Sequence, residues 1–353
     1  MELGGFFELP EYPCCDKKRS AFSWLTALDK GTAVFVNDGR TAIKAVLENV
    51  QKKYRKESHI PTYLCNAILQ PFEELNLPVT FYSHEHPLKP RLNGTIRNAI
   101  ILLIDYFGAE PIPNETIREY LDQDNIVIVD NTHSLFNLGR YTIKDENYFL
   151  IASLRKMFPI PDGGIVYHNR NTFEIQYVLD DTPHPMLEAM ILKRMYLECE
   201  SKQMKEHFLR IYRSYDAGKF EREITLRDIP FISREMMKRI DIAHLIQKRK
   251  VNLDYCYRHI TQKDIFLFHL KEIHSPFIVP LIFKDRKQRD EVRKVLIKNS
   301  IYPPVHWDIT NIIPEKFAYE HELSRKILSI PIDQRYSETD MAAVVSVLDK
   351  VIS

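Results

Sequence analysis

The fold is decided by residues 126–133, Ile-Val-Ile-Val-Asp-Asn-Thr-His, and by residues 148–164, Tyr-Phe-Leu-Ile-Ala-Ser-Leu-Arg-Lys-Met-Phe-Pro-Ile-Pro-Asp-Gly-Gly. The first is a short β-branched run that ends in an acid, and the second is an apolar run that ends in Ser-x-x-Lys and a glycine pair. Buried parallel strands read as continuous Val and Ile, and ligands of open α/β sheets collect at the carboxyl ends of such strands. The sequence therefore predicts that Asp130 and Lys156 project into one crevice.

A lysine placed near an aspartate and a hydroxyl is typical of a pyridoxal 5′-phosphate (PLP) site. The amine of Lys156 would bind the cofactor covalently, Asp130 would pair with the pyridine nitrogen, and Ser153 would help to hold the phosphate. The alternative is that Asp130 caps a turn and Lys156 is a solvated surface lysine. Taken together, the order, the spacing and the flanking strands favour the cofactor site.

Composition restricts the class of protein. The 353 residues predict one large and one smaller domain, and a net charge of +1 gives no reason to expect a nucleic-acid or membrane partner. No basic region followed by an apolar stretch opens the sequence, so we expect a soluble, cytoplasmic protein. The cysteines form no C-x-x-C pair, which favours reduced thiols over disulfides or a zinc site. They number five, at Cys14, Cys15, Cys65, Cys199 and Cys256.

The amino-terminal half alternates between strands and helices. Residues 32–36 read as a strand, which a glycine turn at Gly39 joins to an amphipathic helix that continues to Tyr54. The free N–H groups at such a helix start are a ready phosphate site. Further apolar runs at 99–104 and 126–129, with a crossover helix between them, predict an α/β fold with a mainly parallel mixed sheet and helices on both faces.

The carboxyl-terminal half changes character. Residues 186–215 read as a charged surface or interface helix, and residues 232–260 read as one long helix for which Ser233 is a possible N-cap. The pattern then predicts a compact α+β unit, so we expect a large domain at 1–232 and a small one at 233–353. The elements of that unit are strands at 277–283 and 327–333 and helices at 287–298 and 337–352.

These motifs, in this order, resemble the DegT/StrS-type sugar aminotransferases, PLP enzymes of the aspartate-aminotransferase fold. Asp130-Asn-Thr-His133 stands where that family has Asp-x-x-Gln, and Lys156 follows a serine and precedes a glycine pair. Asp38-Gly39-Arg40-Thr41-Ala42 is similar to the family's phosphate-binding turn. The resemblance extends to Tyr302-Pro-Pro-Val-His306 and Leu328-Ser-Ile-Pro331 near the carboxyl end.

The resemblance implies a role for each matching residue. Lys156 would carry the cofactor, Asp130 would bind its ring nitrogen, and His133 would hydrogen-bond its 3-oxygen. Tyr63 would stack on the ring. The phosphate would lie against Gly39, Arg40, Thr41 and Ser153, and the substrate against Tyr302 and His306.

The resemblance also implies an activity. The enzyme would transfer an amino group from glutamate to a nucleotide-linked keto-sugar for surface polysaccharide, and it would act as a homodimer. Two departures from the family's pattern stand out: Ser153 lies two positions closer to the lysine than the family's serine, and two prolines, Pro159 and Pro161, stiffen the glycine-rich stretch.

Three alternatives remain. A related sugar dehydratase would replace the lysine with histidine, which Lys156 argues against. A protein of this fold without catalysis would serve as a regulator or binding module. A third reading takes Asp105 and Asp130 as metal-binding acids, although no third carboxylate lies at suitable spacing.

Overall fold

The structure is a computed structural model that describes residues 2–11, 17–51, 57–92, 94–170, 173, 184–218 and 221–352. Cys14 and Cys15 lie outside these ranges, as does the predicted helical segment beyond residue 51.

The described residues contain twelve strands and eleven α-helices. The strands are β1 (Leu3–Gly4), β2 (Thr32–Val36), β3 (Ser58–Pro61), β4 (Val79–Glu85), β5 (Lys89–Arg91), β6 (Ile100–Ile104), β7 (Ile126–Asp130), β8 (Tyr148–Ser153), β9 (Gly164–His168), β10 (Ile278–Ile282), β11 (Ile301–Tyr302) and β12 (Ile327–Pro331). The helices are α1 (Ala21–Ala27), α2 (Gly39–Gln51), α3 (Gln70–Glu74), α4 (Asn114–Leu121), α5 (Pro185–Cys199), α6 (Lys202–Gly218), α7 (Phe231–Met237), α8 (Ile242–His259), α9 (Arg286–Lys298), α10 (Ala318–Lys326) and α11 (Glu338–Ile352).

An eight-stranded sheet forms the centre of the molecule, in the order β2-β9-β8-β7-β6-β3-β4-β5. Strands β4, β3, β6, β7 and β8 run parallel, whereas β9, β2 and β5 join through antiparallel pairs. Every residue of β6, β7, β8 and β9 is buried, which explains their unbroken apolar sequences. The predicted mixed, mainly parallel α/β sheet is confirmed.

The sheet register brings the two decisive runs side by side. Strands β7 and β8 are parallel neighbours, and Asp130 pairs with Ile151. The chain therefore leaves both strands at the same edge. There the backbone N–H of Ser153 donates to Thr132 Oγ1 at 2.9 Å, which ties the two strand ends together.

Helix α2 starts at the same edge of the sheet. Its buried stripe is apolar and packs on the sheet, and its first turn follows directly from β2. A Cβ atom added to Gly39 would lie 3.0 Å from Ser153 Cβ, so a larger residue would push the helix start slightly away from the end of β8. The buried residues of the stripe are Ala42, Ile43, Ala45, Val46, Leu47 and Val50.

The carboxyl-terminal part is an α+β unit, as predicted. Strand β10 pairs with β12 in antiparallel register, and α8, α9 and α11 pack around them. One hydrophobic cluster contains buried residues of this unit and of the large sheet. The proposed boundary at residue 232 stays a prediction.

The first residues of the chain join that unit. Leu3 pairs with Ile301 and Gly4 with Tyr302 in a short parallel ladder. The guanidinium of Arg335 holds the segment by donating to the Phe6 carbonyl at 3.2 Å and to Glu8 Oε2 at 2.9 Å.

Two predicted helices are wrong in their continuity. The stretch 186–215 is two helices, α5 and α6, which separate at Glu200 with its left-handed φ of 53°. The stretch 232–260 is also two helices, since α7 ends at Met237 and α8 begins after Asp241, whose carboxylate caps it by accepting from the His244 N–H at 3.1 Å.

The predicted N-cap at Ser233 is also wrong, because Ser233 lies inside α7 and is buried. No helix within the described ranges is both long enough and apolar enough to cross a membrane.

Candidate active site

Asp130 ends β7 as a buried acid. Its Oδ1 accepts a hydrogen bond from the Thr132 backbone N–H at 2.8 Å, which fixes the carboxylate at the sheet edge. Burial raises the pKa of this carboxyl, while the Thr132 hydrogen bonds and the charge of Lys156 act in the opposite direction. The residue is therefore a buried carboxylate that gains from a cationic partner.

Lys156 closes a single 3₁₀ turn, Leu154–Lys156, directly after β8. The Leu154 N–H donates to the Gly163 carbonyl at 2.8 Å, so the glycine pair folds back under the lysine turn. Burial and the neighbouring Arg155 lower the pKa of Lys156, and the carboxylate of Asp130 partly opposes them. The structure thus places this amine and the Asp130 carboxylate within electrostatic reach of each other.

The glycine pair is needed for close packing. Gly163 has a positive φ of 150°, and a Cβ atom on Gly164 would lie 2.3 Å from the Asp38 carbonyl oxygen. A side chain at Gly164 would therefore separate β9 from the start of α2.

His133 lies among aromatic rings. Its imidazole stacks on Phe277 at a centroid distance of 4.4 Å, on Trp307 at 5.1 Å and on Phe107 at 5.2 Å. Burial lowers its pKa well below the usual range, with the charges of His306 and Lys156 adding to the effect. Its Nδ1 is buried and has no hydrogen-bond partner among the described residues, so this neutral ring has a polar atom available to a ligand.

His306 joins the same cluster from the carboxyl-terminal unit. Its ring lies 5.3 Å from that of His133, and its Nδ1 pairs with Ser329 Oγ at 2.9 Å. Burial, followed by the charge of Lys156, lowers the pKa of His306 to about 3, so the ring is neutral at physiological pH.

The start of α2 forms the other end of the site. Thr41 is buried, and its Oγ1 lacks a hydrogen-bond partner among the described residues. The Asp38 carboxylate accepts from the Thr41 N–H at 2.8 Å and lies 3.1 Å from an Arg40 guanidinium nitrogen. Gly39 contacts Ser153 at the same place. The structure therefore brings together the four residues that were predicted to hold the phosphate.

Tyr63 and Tyr302 differ in position. Tyr63 is fully buried, packs 5.5 Å from Trp307 and donates its hydroxyl to the His306 carbonyl. Tyr302 lies in β11, and its hydroxyl is 3.4 Å from a carboxylate oxygen of Glu2. Tyr302 therefore lies against the amino-terminal segment, and its substrate role stays a prediction.

Sequence reasoning missed the aromatic side chains around His133. The signal for Trp307 was present, because it is one of only two tryptophans and directly follows His306. Phe107 and Phe277 carried no local signal, since apolar strand ends are ordinary core. Their place in the site depends on the tertiary fold.

Arg249 is a second residue that the sequence did not reveal. This fully buried arginine on α8 donates to the carbonyls of Met157 at 3.3 Å and of Phe277 at 3.2 Å, and its Nε donates to Gln334 Oε1 at 2.9 Å. Burial lowers its pKa to about 10. The guanidinium thereby joins the residue that follows the lysine turn, Met157, to Phe277, which immediately precedes β10.

Replacing Arg249 by methionine is expected to lower the free energy of unfolding by about 2–4 kcal/mol, because buried carbonyls lose their donors. Arg249→Lys should recover only part of this, since an ammonium lacks the planar fork. Urea unfolding measures the change. The exposed Arg258 on the same helix supplies the control, and its methionine variant should stay within about 0.5 kcal/mol of the parent protein.

Asp105 is a buried acid at the next strand end. Its Oδ2 accepts from Tyr141 at 3.0 Å and from Asn131 at 3.1 Å, and burial raises its pKa to about 7. The folded state therefore keeps a proton that the unfolded chain releases near pH 4.

Among the described residues, no group of three His, Cys, Asp or Glu side chains is placed to hold a metal ion.

Asp105 predicts a pH dependence of stability. Because its folded-state pKa is raised, its contribution is present below about pH 4 and is lost as the pH rises towards 7. Asp105→Asn should remove that dependence. Relative to the parent protein, the variant should gain stability between pH 4 and pH 8, by at most about 4 kcal/mol. Urea titrations at both pH values would measure it, and a difference independent of pH would contradict the assignment.

Comparison with solved structures finds the same architecture over nearly the whole chain. The PLP form of a putative sugar aminotransferase, Spr1654 from Streptococcus pneumoniae, superposes with a TM-score of 0.65 at 12% identity, covering 99% of this chain and 93% of that one. DesV of S. venezuelae gives a TM-score of 0.62 at 14% identity, with 96% and 90% covered. The chain has the fold of the sugar aminotransferases.

A third neighbour is DesI, whose structure was determined in the presence of its TDP-sugar product. It gives a TM-score of 0.65 at 13% identity and covers 96% of this chain and 85% of that one. No protein-family model and no curated protein sequence matches the chain significantly. Asp130 and Lys156 lie at the edge formed by the carboxyl ends of the parallel strands. Ligands of open α/β sheets bind at this edge.

Proposed function

We propose that this protein is a PLP-dependent aminotransferase. The observation that supports it most is the placement of a depressed-pKa amine, Lys156, and a buried carboxylate, Asp130, after two neighbouring parallel strands at the same edge of the sheet. A lowered pKa increases the fraction of the lysine that is a neutral amine, and the neutral amine is the form that attacks a carbonyl. The sugar-aminotransferase fold adds support, since its neighbours include a PLP form.

The residues present fit the cofactor. At the ring end, the buried Nδ1 of His133 has no partner in the described chain, and Asp130 is a carboxylate that lacks a full counter-charge. At the phosphate end, Thr41 Oγ1 is likewise unpaired and Gly39 leaves room at Ser153. Lys156, Asp130 and His133 would hold the ring.

When bound, PLP supplies a ring that accepts electrons from the bond broken at the substrate carbon. The chain supplies the rest. With the cofactor bound, the Asp130 carboxylate would favour a protonated pyridine nitrogen through a charge-assisted hydrogen bond, and the neutral imidazole of His133 would offer Nδ1 to the ring oxygen. Lys156 Nζ takes and returns the proton at the substrate carbon, for which its lowered pKa suits it.

The surrounding rings exclude water from this chemistry. Trp307, Phe107 and Phe277 cover His133, and both histidines of the cluster are held neutral by burial. A dry site strengthens the pairing of Asp130 with a cation.

We propose further that the acceptor is a nucleotide-linked keto-sugar and the donor glutamate, in the cytoplasm and for surface polysaccharide. Support comes from the sequence resemblance and from the neighbour solved with its TDP-sugar product. A homodimer is part of the same proposal. Within it, His306 is the better-placed substrate contact, because it lies beside His133 and feels the charge of Lys156, whereas Tyr302 pairs with Gly4 and contacts Glu2.

The test is direct. Purified protein mixed with PLP should develop a visible absorption band that glutamate bleaches, and glutamate-dependent amination should appear in a screen of nucleotide-linked keto-sugars. A protein that stays colourless with PLP would instead favour the non-catalytic binding module. The observation that favours this second candidate is the Asp38 carboxylate at the proposed phosphate position.

A further inference from the structure

The carboxylate of Asp38 occupies the start of α2, where it accepts a hydrogen bond from the first turn of the helix. Asp38 is buried at 8% exposure, and its Oδ1 accepts from the Thr41 N–H at 2.8 Å. A carboxylate at this position satisfies a free N–H group of the helix and interacts favourably with the positive end of its dipole. A phosphate bound at a helix start uses the same groups.

A cation neighbours the same carboxylate. Arg40 places Nη2 at 3.1 Å from Asp38 Oδ2 and donates from Nη1 to Gln70 Oε1 at 2.7 Å. The turn is thus stabilised in a state in which the acid, rather than a ligand, is the partner of both the helix N–H and the guanidinium.

The same turn also has an unsatisfied group. Thr41 is 1% exposed, and its hydroxyl oxygen makes no hydrogen bond within the described chain. Asp38, Arg40 and Thr41 all line one cavity of about 620 Å³ between α2, α5 and α6. A buried hydroxyl beside a cavity is a polar group that a ligand oxygen would satisfy.

We propose that Asp38 competes with the cofactor phosphate for the start of α2 and so sets the affinity of this protein for PLP. This inference rests on the proposed function. Phosphate binding must release the Asp38 carboxylate from the Thr41 N–H, after which Arg40 exchanges its carboxylate partner for the phosphate. The affinity for the cofactor is lower because the Asp38 carboxylate must first lose its interactions with the Thr41 N–H and with Arg40.

The substitution Asp38→Asn isolates this effect. Asparagine caps a helix about as well as aspartate, so the fold is kept, but its neutral oxygen is a weaker competitor for the N–H and for Arg40. We expect PLP to bind about tenfold more tightly. Pyridoxal, which has the same ring without the phosphate, should bind the variant and the parent protein equally.

A matched control is available nearby. Asp228 forms an ion pair with Arg234 at 3.1 Å but does not cap α2. Asp228→Asn also removes one negative charge and one ion pair with an arginine. It should leave the PLP affinity unchanged. Arg40→Gln is expected to weaken PLP binding about tenfold without changing that of pyridoxal.

The experiment is a titration of each protein with PLP and with pyridoxal, followed by absorbance, with thermal unfolding to check the fold. Tighter PLP binding by Asp38→Asn alone supports the proposal. If the parent protein binds PLP and Asp38→Asn binds it equally or more weakly, the competition does not exist, although the proposed function stands. If none of the proteins binds PLP, the proposed function fails and this inference fails with it.

Discussion

Replacing Lys156 by alanine is expected to abolish the visible band with PLP and to lower glutamate-dependent turnover by about four orders of magnitude. In the proposed mechanism this amine provides both the covalent bond to the cofactor and the proton transfer, and Lys156 is the lysine whose charge acts on Asp130. The arginine variant should fail as well, because a guanidinium neither bonds to an aldehyde nor gives up its proton at neutral pH.

Lys193 makes this test sharper. Lys193 is a buried lysine outside the proposed site, and burial lowers its pKa to about 8. Lys193 lies on α5, away from the sheet edge, and its amine donates to the Phe6 carbonyl. After borohydride reduction, peptide mapping should find the cofactor on Lys156 and not on Lys193. A modification at Lys193, or an equal one at both, would show that reactivity follows basicity alone and would remove the basis for the active site.

Replacing Asp130 by asparagine is expected to lower turnover by roughly 30- to 5,000-fold, which corresponds to the about 2–5 kcal/mol lost when one partner of a buried charge pair is removed. An amide cannot keep the ring nitrogen protonated. Because the carboxylate raises the pKa of Lys156, its loss should also shift the pH profile of that amine downwards. Steady-state rates measured between pH 6 and pH 10 would show both effects.

Asp105 provides the matched control for this experiment. It is equally buried and follows the neighbouring strand β6, yet its carboxylate is engaged by Tyr141, Asn131 and Asn137. Asp105→Asn should keep most of the turnover. If both asparagine variants lose activity to the same degree, the loss reflects the buried sheet edge as a whole and not a pairing of Asp130 with the cofactor.

The parallel core was predictable from sequence because its strands are buried on both faces. Ile100–Ile104 and Ile126–Asp130 have no polar residue before their ends, so the pattern and the structure agree. The edge at which Asp130 and Lys156 meet follows from strand order alone. The strand pattern is a local feature of the sequence, and the strand order depends on one rule, the right-handed crossover between parallel strands.

The remaining features depend on contacts between distant residues. The helical periodicity of the sequence continues through Glu200 and Asp241, so it did not predict that the helices end there. At the second break, Asp241 is a residue type that often caps a helix start and could have indicated the boundary. The cover over His133 is assembled from three separate segments by Phe107, Phe277 and Trp307. No single stretch of sequence carries that information.

The short ladder between Leu3–Gly4 and Ile301–Tyr302 bears on synthesis of the chain. Leu3–Gly4 emerge from the ribosome about 300 residues before their partner strand, Ile301–Tyr302. Until then, their hydrogen-bonding groups and the side chain of Phe7 have no docking place. Pairing over so large a sequence separation is a slow step. We therefore expect the amino-terminal segment to be among the last parts to become protected from proteases during translation.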